Sequence, residues 1–411
     1  MKRAIPSITI ALLLAVFLGT CVRAADDVRI RDIKSPTYSA PAFTLPGGSI
    51  TVTLAASAQG TANKASLKSL AGEAVADVGL GEAPMAAGLN TFDVLIPPPV
   101  ETGLYDLCIE FTAGGAKSTD CQPHAVAVVA SFDPPFTFVQ ITDYHMGDPR
   151  ALGQFPGVDI EKVRIKALET ANSVNPAFVI FTGDICAYPE TYEQDYPAAV
   201  QEIVSHIKVP TVIIPGNHDL YAKTDMNGKL EVEGLDYWSA FMGATHQILD
   251  YGKLRFIGFN TYAWPQGARN RNRPYHAQVG TLHTYQGAID KAEMDWIIAQ
   301  LKTLDGRTPI FFAHHGPRTF EVMPQQFGCN DCVSQTKMMK FLEKAGAPYY
   351  IYGHIHRNDD VTENGTEFIA TTSVGSDVSE DQLWAIRVFH VKEDLTMESE
   401  VIKLFETPPM K

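Results

Sequence analysis

The run FTFVQITDYH (residues 136–145) places an apolar β-like stretch, Phe136–Ile141, directly before a carboxylate and an imidazole, Asp143 and His145. A strand buried on both faces reads as a continuous apolar run, and α/β sheets collect ligands just beyond the carboxyl ends of such strands. Four more runs have the same form. Residues 178–181 precede Gly183-Asp184, and 212–214 precede Gly216-Asn217-His218-Asp219. Residues 310–312 precede His314-His315, and 349–352 precede Gly353-His354-Ile355-His356. The segments are spread over more than 200 residues, yet each strand would deliver its polar tip to one edge of a sheet.

Asp143 and His145, two apart in an extended segment, are expected to emerge on the same side and hold one metal ion together. Asp184 stands where two cations could share a carboxylate. Asn217 offers a neutral amide oxygen, with the imidazole of His218 at the same strand tip. His314, His354 and His356 add nitrogens suited to zinc, iron or manganese. A single histidine after a strand is more often structural; the argument lies in seven candidate ligands arriving together, enough for two ions that keep open positions for water.

Composition fits a globular chain of two domains: 411 residues, 45% hydrophobic and 19% charged, without low-complexity tracts or obvious repeats. Lys2 and Arg3 precede an apolar run from Ile8 to Leu18, and Val22-Arg23-Ala24 resembles a cleavage site, so residues 1–24 read as a secretory signal peptide. That run is too short to span a bilayer comfortably, at about 20 residues needed. A lipoprotein box around Cys21 is the rival, poorly served by Thr20. Export to the periplasm or the medium is the expectation. Losing Lys2, Arg3 and Arg23 leaves 30 basic against 47 acidic residues, a formal charge of −17. Such a surface repels nucleic acid and anionic lipid, which argues against a polyanionic partner.

Residues 27–131 carry β patterning, with Ile50, Val52 and Leu54 alternating with threonines, and predict a small β-sandwich of immunoglobulin or fibronectin type. Gly114-Gly115 suits a two-residue hairpin, because both positions accept positive φ. Pairing outward from that turn sets Cys108 opposite Cys121 at a non-hydrogen-bonded position, where a disulfide fits. Cys329 and Cys332 lack the second pair that a zinc site needs and predict a local disulfide, leaving Cys186 as the free thiol. From residue 136 to about 405 the texture becomes α/β, with helices expected at 160–172, 198–207, 291–301 and 333–345. Asn364-Gly365-Thr366 matches a glycosylation sequon but reads better as a hairpin turn between Val361 and Phe368.

The ordered set DxH, GD, GNHD, HH, GHxH resembles that of the calcineurin-like metallophosphoesterases over about residues 136–375. The resemblance implies a four-layer α/β/β/α sandwich. It places Asp143, His145, Asp184 and His356 on one metal, and Asp184, Asn217, His314 and His354 on the other. Two ions of manganese, iron or zinc would be the cofactors. It implies hydrolysis of a small phosphate ester by a metal-bound hydroxide, with His218 facing substrate and Asp219 orienting it. Either member of the His314-His315 pair could be the ligand; the resemblance favours His314, with His315 then a substrate contact. A phosphodiesterase acting on cyclic nucleotides or glycerophosphodiesters is the alternative activity. A catalytically silent scaffold used as a binding module is the alternative of another class, weakened by the survival of every ligand. Purple acid phosphatases share the architecture, but their iron-ligating tyrosine falls at Ala187 here, one residue before Tyr188.

Selectivity is expected in loops at 188–196, 221–234 and 262–287. Arg269, Arg271 and Arg273 form a basic loop near Trp264, Tyr275 and His276. Charge runs usually face water; the functional reading is a clamp on a phosphate tail, with the aromatics stacking on a base or leaving group.

Overall fold

The computed structural model describes residues 28–411, so the signal peptide expected at 1–24 lies outside the described residues. Phe136–Ile141 forms a strand with the bounds its sequence predicts, at the centre of a five-stranded sheet. Phe178–Thr182 and Thr211–Ile214 lie parallel on one side of it, and Ala385–Val391 and Met397–Lys403 add antiparallel strands on the other. A second sheet of six strands holds Leu254–Phe259, Thr308–Ala313, Tyr349–Tyr352 and Thr366–Ala370 in parallel, with Gln247–Tyr251 and Asp359–Glu363 antiparallel at its edges. The five polar tips therefore do not share one sheet edge, as the sequence suggests. Three follow strands of the first sheet and two follow strands of the second.

The sheets meet across a dry core. Phe138 and Phe178 of the first sheet pack with Phe256 of the second, ring centroids 5.1 and 5.0 Å away. Gln140 is sealed within it: it donates to Thr182 Oγ1 and to the carbonyl of Tyr352, both at 2.8 Å, and accepts from Thr371 Oγ1 at 2.6 Å. With every hydrogen-bonding atom engaged, Gln140 fixes the relative register of the sheets without leaving an orphaned polar group.

Helices cover the outer faces. Ile160–Val174 starts at an Asp159 cap, buries Val163, Ala167, Leu168 and Ala171, and ends at Asn175 in a left-handed conformation. Tyr192–His206 begins six residues before the start its sequence predicts, with Pro197 inside it. Tyr192 and Tyr196 are wholly buried, so packing overrides the proline. Lys291–Lys302 and Gln335–Ala345 bury Ile297, Met338 and Leu342 in the core of the second sheet. The result is the expected mixed α/β layering. No helix among the described residues is long and apolar enough to cross a membrane.

Toward the N-terminus, strands between Ile33 and Val128 form a three-stranded and a six-stranded sheet around a separate apolar core of Val52, Leu54, Leu67, Leu107 and Ile109. The Gly114-Gly115 turn carries φ of 56° and 83°, and the register runs from Ala113↔Ala116 to Cys108↔Cys121 as the turn predicts. Both expected disulfides are present, Cys108–Cys121 and Cys329–Cys332, and Cys186 is free and buried. Asn364 and Gly365 turn the predicted hairpin, with Val361 opposite Phe368. The segment before the first long strand docks against the α/β body: Tyr38 Oη donates to Phe241 O at 2.8 Å, and Ile213 N donates to Ser39 O at 2.9 Å.

Phe138 stacks on Phe389 at 4.6 Å and on Phe178 at 5.3 Å with no exposed surface. Phe138→Ala should cost about 3–5 kcal/mol through the cavity it leaves, read as a fall in the urea midpoint; an unchanged midpoint would mean the sheets do not depend on this core.

Candidate metal centre

The strand tips converge through backbone conformations that a pleat does not supply. Asp143, His145, Asp184, His354 and His356 all have positive φ, at 53°, 48°, 55°, 69° and 50°. Asp143 and His145 thus meet by left-handed turns, not by alternation along an extended segment. Such backbone costs of order 1–3 kcal/mol per residue and concentrates at functional sites. Glycines make the approach possible. A Cβ on Gly216 would lie 2.1 Å from Asp184 Oδ1, and one on Gly353 would lie 1.9 Å from Thr142 Oγ1 and 2.6 Å from Asp143 Oδ2.

Two overlapping clusters result. Asp143 Oδ1 faces His356 Nε2 at 3.1 Å and His145 Nε2 at 3.6 Å, and these two nitrogens are 3.3 Å apart. Asp184 Oδ2 faces His145 Nε2 at 3.4 Å and His314 Nε2 at 3.1 Å, and His314 Nε2 is 3.1 Å from Asn217 Oδ1. Asp184 therefore stands between both clusters. His218 also comes within 4.8 Å of His145 and Asp184, and His354 within the same distance of His314 and His315.

The donors fit a cation pair. Asp143 Oδ1 is buried without an adequate hydrogen bond, and several imidazole nitrogens turn toward the same carboxylates. Surrounding groups aim the rings. His314 Nδ1 donates to Thr182 O at 2.7 Å, leaving Nε2 as the lone-pair atom, and His356 Nδ1 pairs with Asp377 Oδ1 at 3.1 Å. Asn217 Nδ2 donates to Tyr221 Oη at 2.6 Å, which points Oδ1 inward. Burial opposes charge on these rings, yet Asp184 lifts His314 to about 9 and Asp143 lifts His356 to about 10. Burial and the neighbouring His314 push His354 down to about 3. The cluster attracts positive charge strongly and spreads it unevenly.

Four expected roles are not borne by the geometry. Asp219 does not touch His218: its oxygens accept from Cys186 N at 2.9 Å and Gly216 N at 2.8 Å, because the short helix at 218–220 turns it inward. Burial, then Asp184, raises Asp219 to about 7. His218 is oriented by a backbone group, its Nδ1 donating to Ala187 O at 2.6 Å. His315 is fully buried with both ring nitrogens engaged, Nδ1 by Thr261 Oγ1 at 2.9 Å and Nε2 by Tyr285 O at 3.0 Å. Arg269 is buried against Glu233, with an Nη1–Oε1 distance of 2.6 Å, and donates to Leu220 O and Trp264 O. It braces the loop and does not line the cavity. Trp264 and His276 are buried by their own hydrogen bonds and present no stacking face.

A cavity of about 590 Å³ opens over the clusters. Arg271 and Arg273 line it, as do Arg150, Tyr188, Tyr221, His283 and Asp377, whose part the motifs do not reveal. Arg150 is fixed by Asp148, Nη2 to Oδ2 at 2.7 Å, and Asp148 in turn lies 3.4 Å from His145 Nδ1. The DxR at 148–150, so soon after His145, is the one local signal that could have exposed Arg150.

Sheet order, paired clusters and cavity define an α/β fold with a candidate two-cation centre at the floor of its cavity. The family model "Calcineurin-like phosphoesterase" matches residues 136–358, and the chain belongs to that family. A protein of Arcobacter nitrofigilis named "Probable glycerophosphodiester phosphodiesterase" is 26% identical over 181 residues, 44% of this chain and 56% of its own length. A Fibrobacter succinogenes protein named "Probable cyclic nucleotide phosphodiesterase" is 24% identical over 178 residues, covering 43% and 56%. These matches span only about half the length of either relative. Among solved structures, a purple acid phosphatase from yellow lupin seeds has a similar fold, with a TM-score of 0.50 at 14% identity, over 92% of this chain and 73% of that one.

Gly353→Ala should displace Asp143 while leaving both sheets intact. Metal affinity measured by titration with elemental analysis is expected to fall by about 10–100-fold with the far-UV spectrum unchanged, and wild-type affinity would show that the close approach is dispensable.

Proposed function

We propose that this chain hydrolyses small phosphate esters at a dinuclear metal centre. Asp143, His145, Asp184 and His356 hold one ion, and Asp184, Asn217, His314 and His354 hold the other. The observation that carries the reading is Asp184 Oδ2, 3.4 Å from His145 Nε2 and 3.1 Å from His314 Nε2, between two donor clusters. Two cations bound there would supply Lewis-acid charge to the phosphoryl oxygens and acidify water.

The protein's own groups account for positioning and proton handling. Asp184 Oδ1 accepts from His218 N at 2.8 Å, so the carboxylate is held at one oxygen and free at the other. With its Nδ1–H committed to Ala187, His218 has only Nε2 to exchange a proton with substrate on the cavity side. Burial keeps the ring neutral, its pKa lowered well below the usual histidine value. An arriving phosphate anion favours the charged ring and readies Nε2 to protonate the leaving oxygen. Arg150, Arg271 and Arg273 make the approach electropositive in a chain of formal charge −14.

The names of the two curated relatives favour a diesterase as the second reading. The apolar core of residues 33–128, separate from those of the α/β body, supports division into an N-terminal β-sandwich at 27–131 and a catalytic domain at 136–405. The two disulfides support export to an oxidising compartment.

Turnover of p-nitrophenyl phosphate against bis-p-nitrophenyl phosphate in manganese, zinc or iron decides between monoester and diester. Asp184→Asn should lose both ions. His218→Ala should keep its metal and lose about 10²–10⁴ in kcat. No hydrolysis of either ester by metal-replete protein would overturn the enzyme reading. Complete metal loss in His218→Ala with retention in His354→Ala would reverse the ligand assignment.

A further inference from the structure

Arg271, half-buried, is unlike the arginines that the structure buries fully. Arg164, Arg255, Arg269 and Arg387 each pair with a carboxylate. Arg271 forms no ion pair among the described residues, and its Nη1 is buried without a hydrogen-bond partner. Its guanidinium carbon lies 4.6 Å from the Tyr188 ring centroid and 4.8 Å from that of Tyr221. Those rings in turn contact His218, with centroids 5.6 and 5.0 Å from its own. Two aromatic faces thus frame the guanidinium and leave its Nη1 for something that enters the cavity. His283, on the same cavity wall, has a buried Nε2 that is also unpaired, and burial followed by Arg271 lowers its pKa to about 4, so the ring is a neutral hydrogen-bonding group. Arg273 adds a second charge without an ion pair among the described residues.

A buried donor without a partner costs free energy, and an ionised one costs more. Cation–π contact offsets part of that cost but consumes no N–H. The tyrosine faces that a nucleobase would use are already covered by the guanidinium, so the wall selects charge over stacking. The aromatic layer also sets Arg271 beyond His218, with the two tyrosine rings between them, outside the donor clusters proposed to hold the cations.

Resting on the phosphoesterase reading, we propose that Arg271, supported by His283 and Arg273, is a specificity-determining subsite for a second anionic group on the substrate, a phosphate or carboxylate carried beyond the ester that is cleaved. Arg is suited to this, since its planar fork meets two oxygens of one oxyanion at once.

Calorimetric binding to metal-replete full-length protein tests this, the wild-type reference and every variant carrying His218→Ala so that the probes are bound and not consumed. The probes are glycerol 3-phosphate, 3-phosphoglycerate and glycerol 1,3-bisphosphate, which carry no second anion, a carboxylate and a phosphate. Wild type should bind at least one two-anion probe about 10–100-fold more tightly than glycerol 3-phosphate, and the preferred probe identifies the anion. In Arg271→Gln that ratio should collapse toward unity, while Arg271→Lys keeps part of it. The backbone N–H of residue 271 donates to Ala222 O at 2.9 Å whatever the side chain, and Arg273→Gln, altered at an exposed position, provides a second variant with a smaller loss. Equal affinities for all three probes in wild type, or a ratio untouched in Arg271→Gln, would overturn the subsite. An equal loss of affinity for all three probes in Arg271→Gln would instead assign Arg271 to the scissile phosphate and also overturn it. Failure of the phosphoesterase reading is separate and shows as intact nitrophenyl esters.

Discussion

Two carboxylates, Asp143 and Asp184, are buried to 0% and 1% exposure within one group of imidazoles, and much of the catalytic body follows from making that burial tolerable. An ionised carboxylate withdrawn from water costs several kcal/mol unless its oxygens are met. Each residue divides the task between its two oxygens. Asp143 Oδ2 accepts from Thr142 Oγ1 at 2.7 Å and His354 N at 3.0 Å, and Asp184 Oδ1 accepts from His218 N. The other oxygen of each faces ring nitrogens alone. One oxygen builds the loops, and the other is left for a cation.

That division explains why the tips come from two sheets. A single sheet edge could align Asp143, Asp184 and Asn217, but its ligands would all approach from one side. The second sheet brings His314, His354 and His356 from across the core. Gln140, sealed between the sheets just beneath, couples their registers, because a slip of either would orphan at least one of its hydrogen bonds. The left-handed residues at the tips then turn side chains from both sheets toward a common point, and Gly216 and Gly353 leave room for the backbones to approach.

The sequence exposes whatever is decided locally. Phe136–Ile141 and Tyr349–Tyr352 have the expected bounds because a strand buried on both faces must be apolar along its length. The Cys108–Cys121 bridge and the Asn364-Gly365 hairpin follow from turn chemistry alone. What requires knowledge of a distant partner stays hidden. Asp219 adjoins His218 in the chain, yet a helical turn sends it toward Cys186 N, 33 residues away. Arg269 and Arg271 look equivalent in a basic run, but Glu233 takes the first and two tyrosines frame the second. Asp377 has no motif around it and reaches the site only because its loop passes His356.

Ala187 marks where likeness of fold stops being likeness of chemistry. The purple acid phosphatase motif has a metal-bound tyrosine at this position, and the yellow lupin enzyme shares this chain's fold at 14% identity. Here the position is wholly buried: its amide donates to Met146 O at 3.0 Å, and its carbonyl holds His218. The next residue, Tyr188, points instead at the cavity and carries Arg271. The phenol of this loop therefore lies on the cavity wall, one residue beyond the position of that motif. The carbonyl of Ala187 holds His218 Nδ1, and the ring of Tyr188 frames the Arg271 guanidinium. On the proposed reading, Arg271 sets positive charge outside the donor clusters, where it would discriminate among substrates that present the same scissile phosphate.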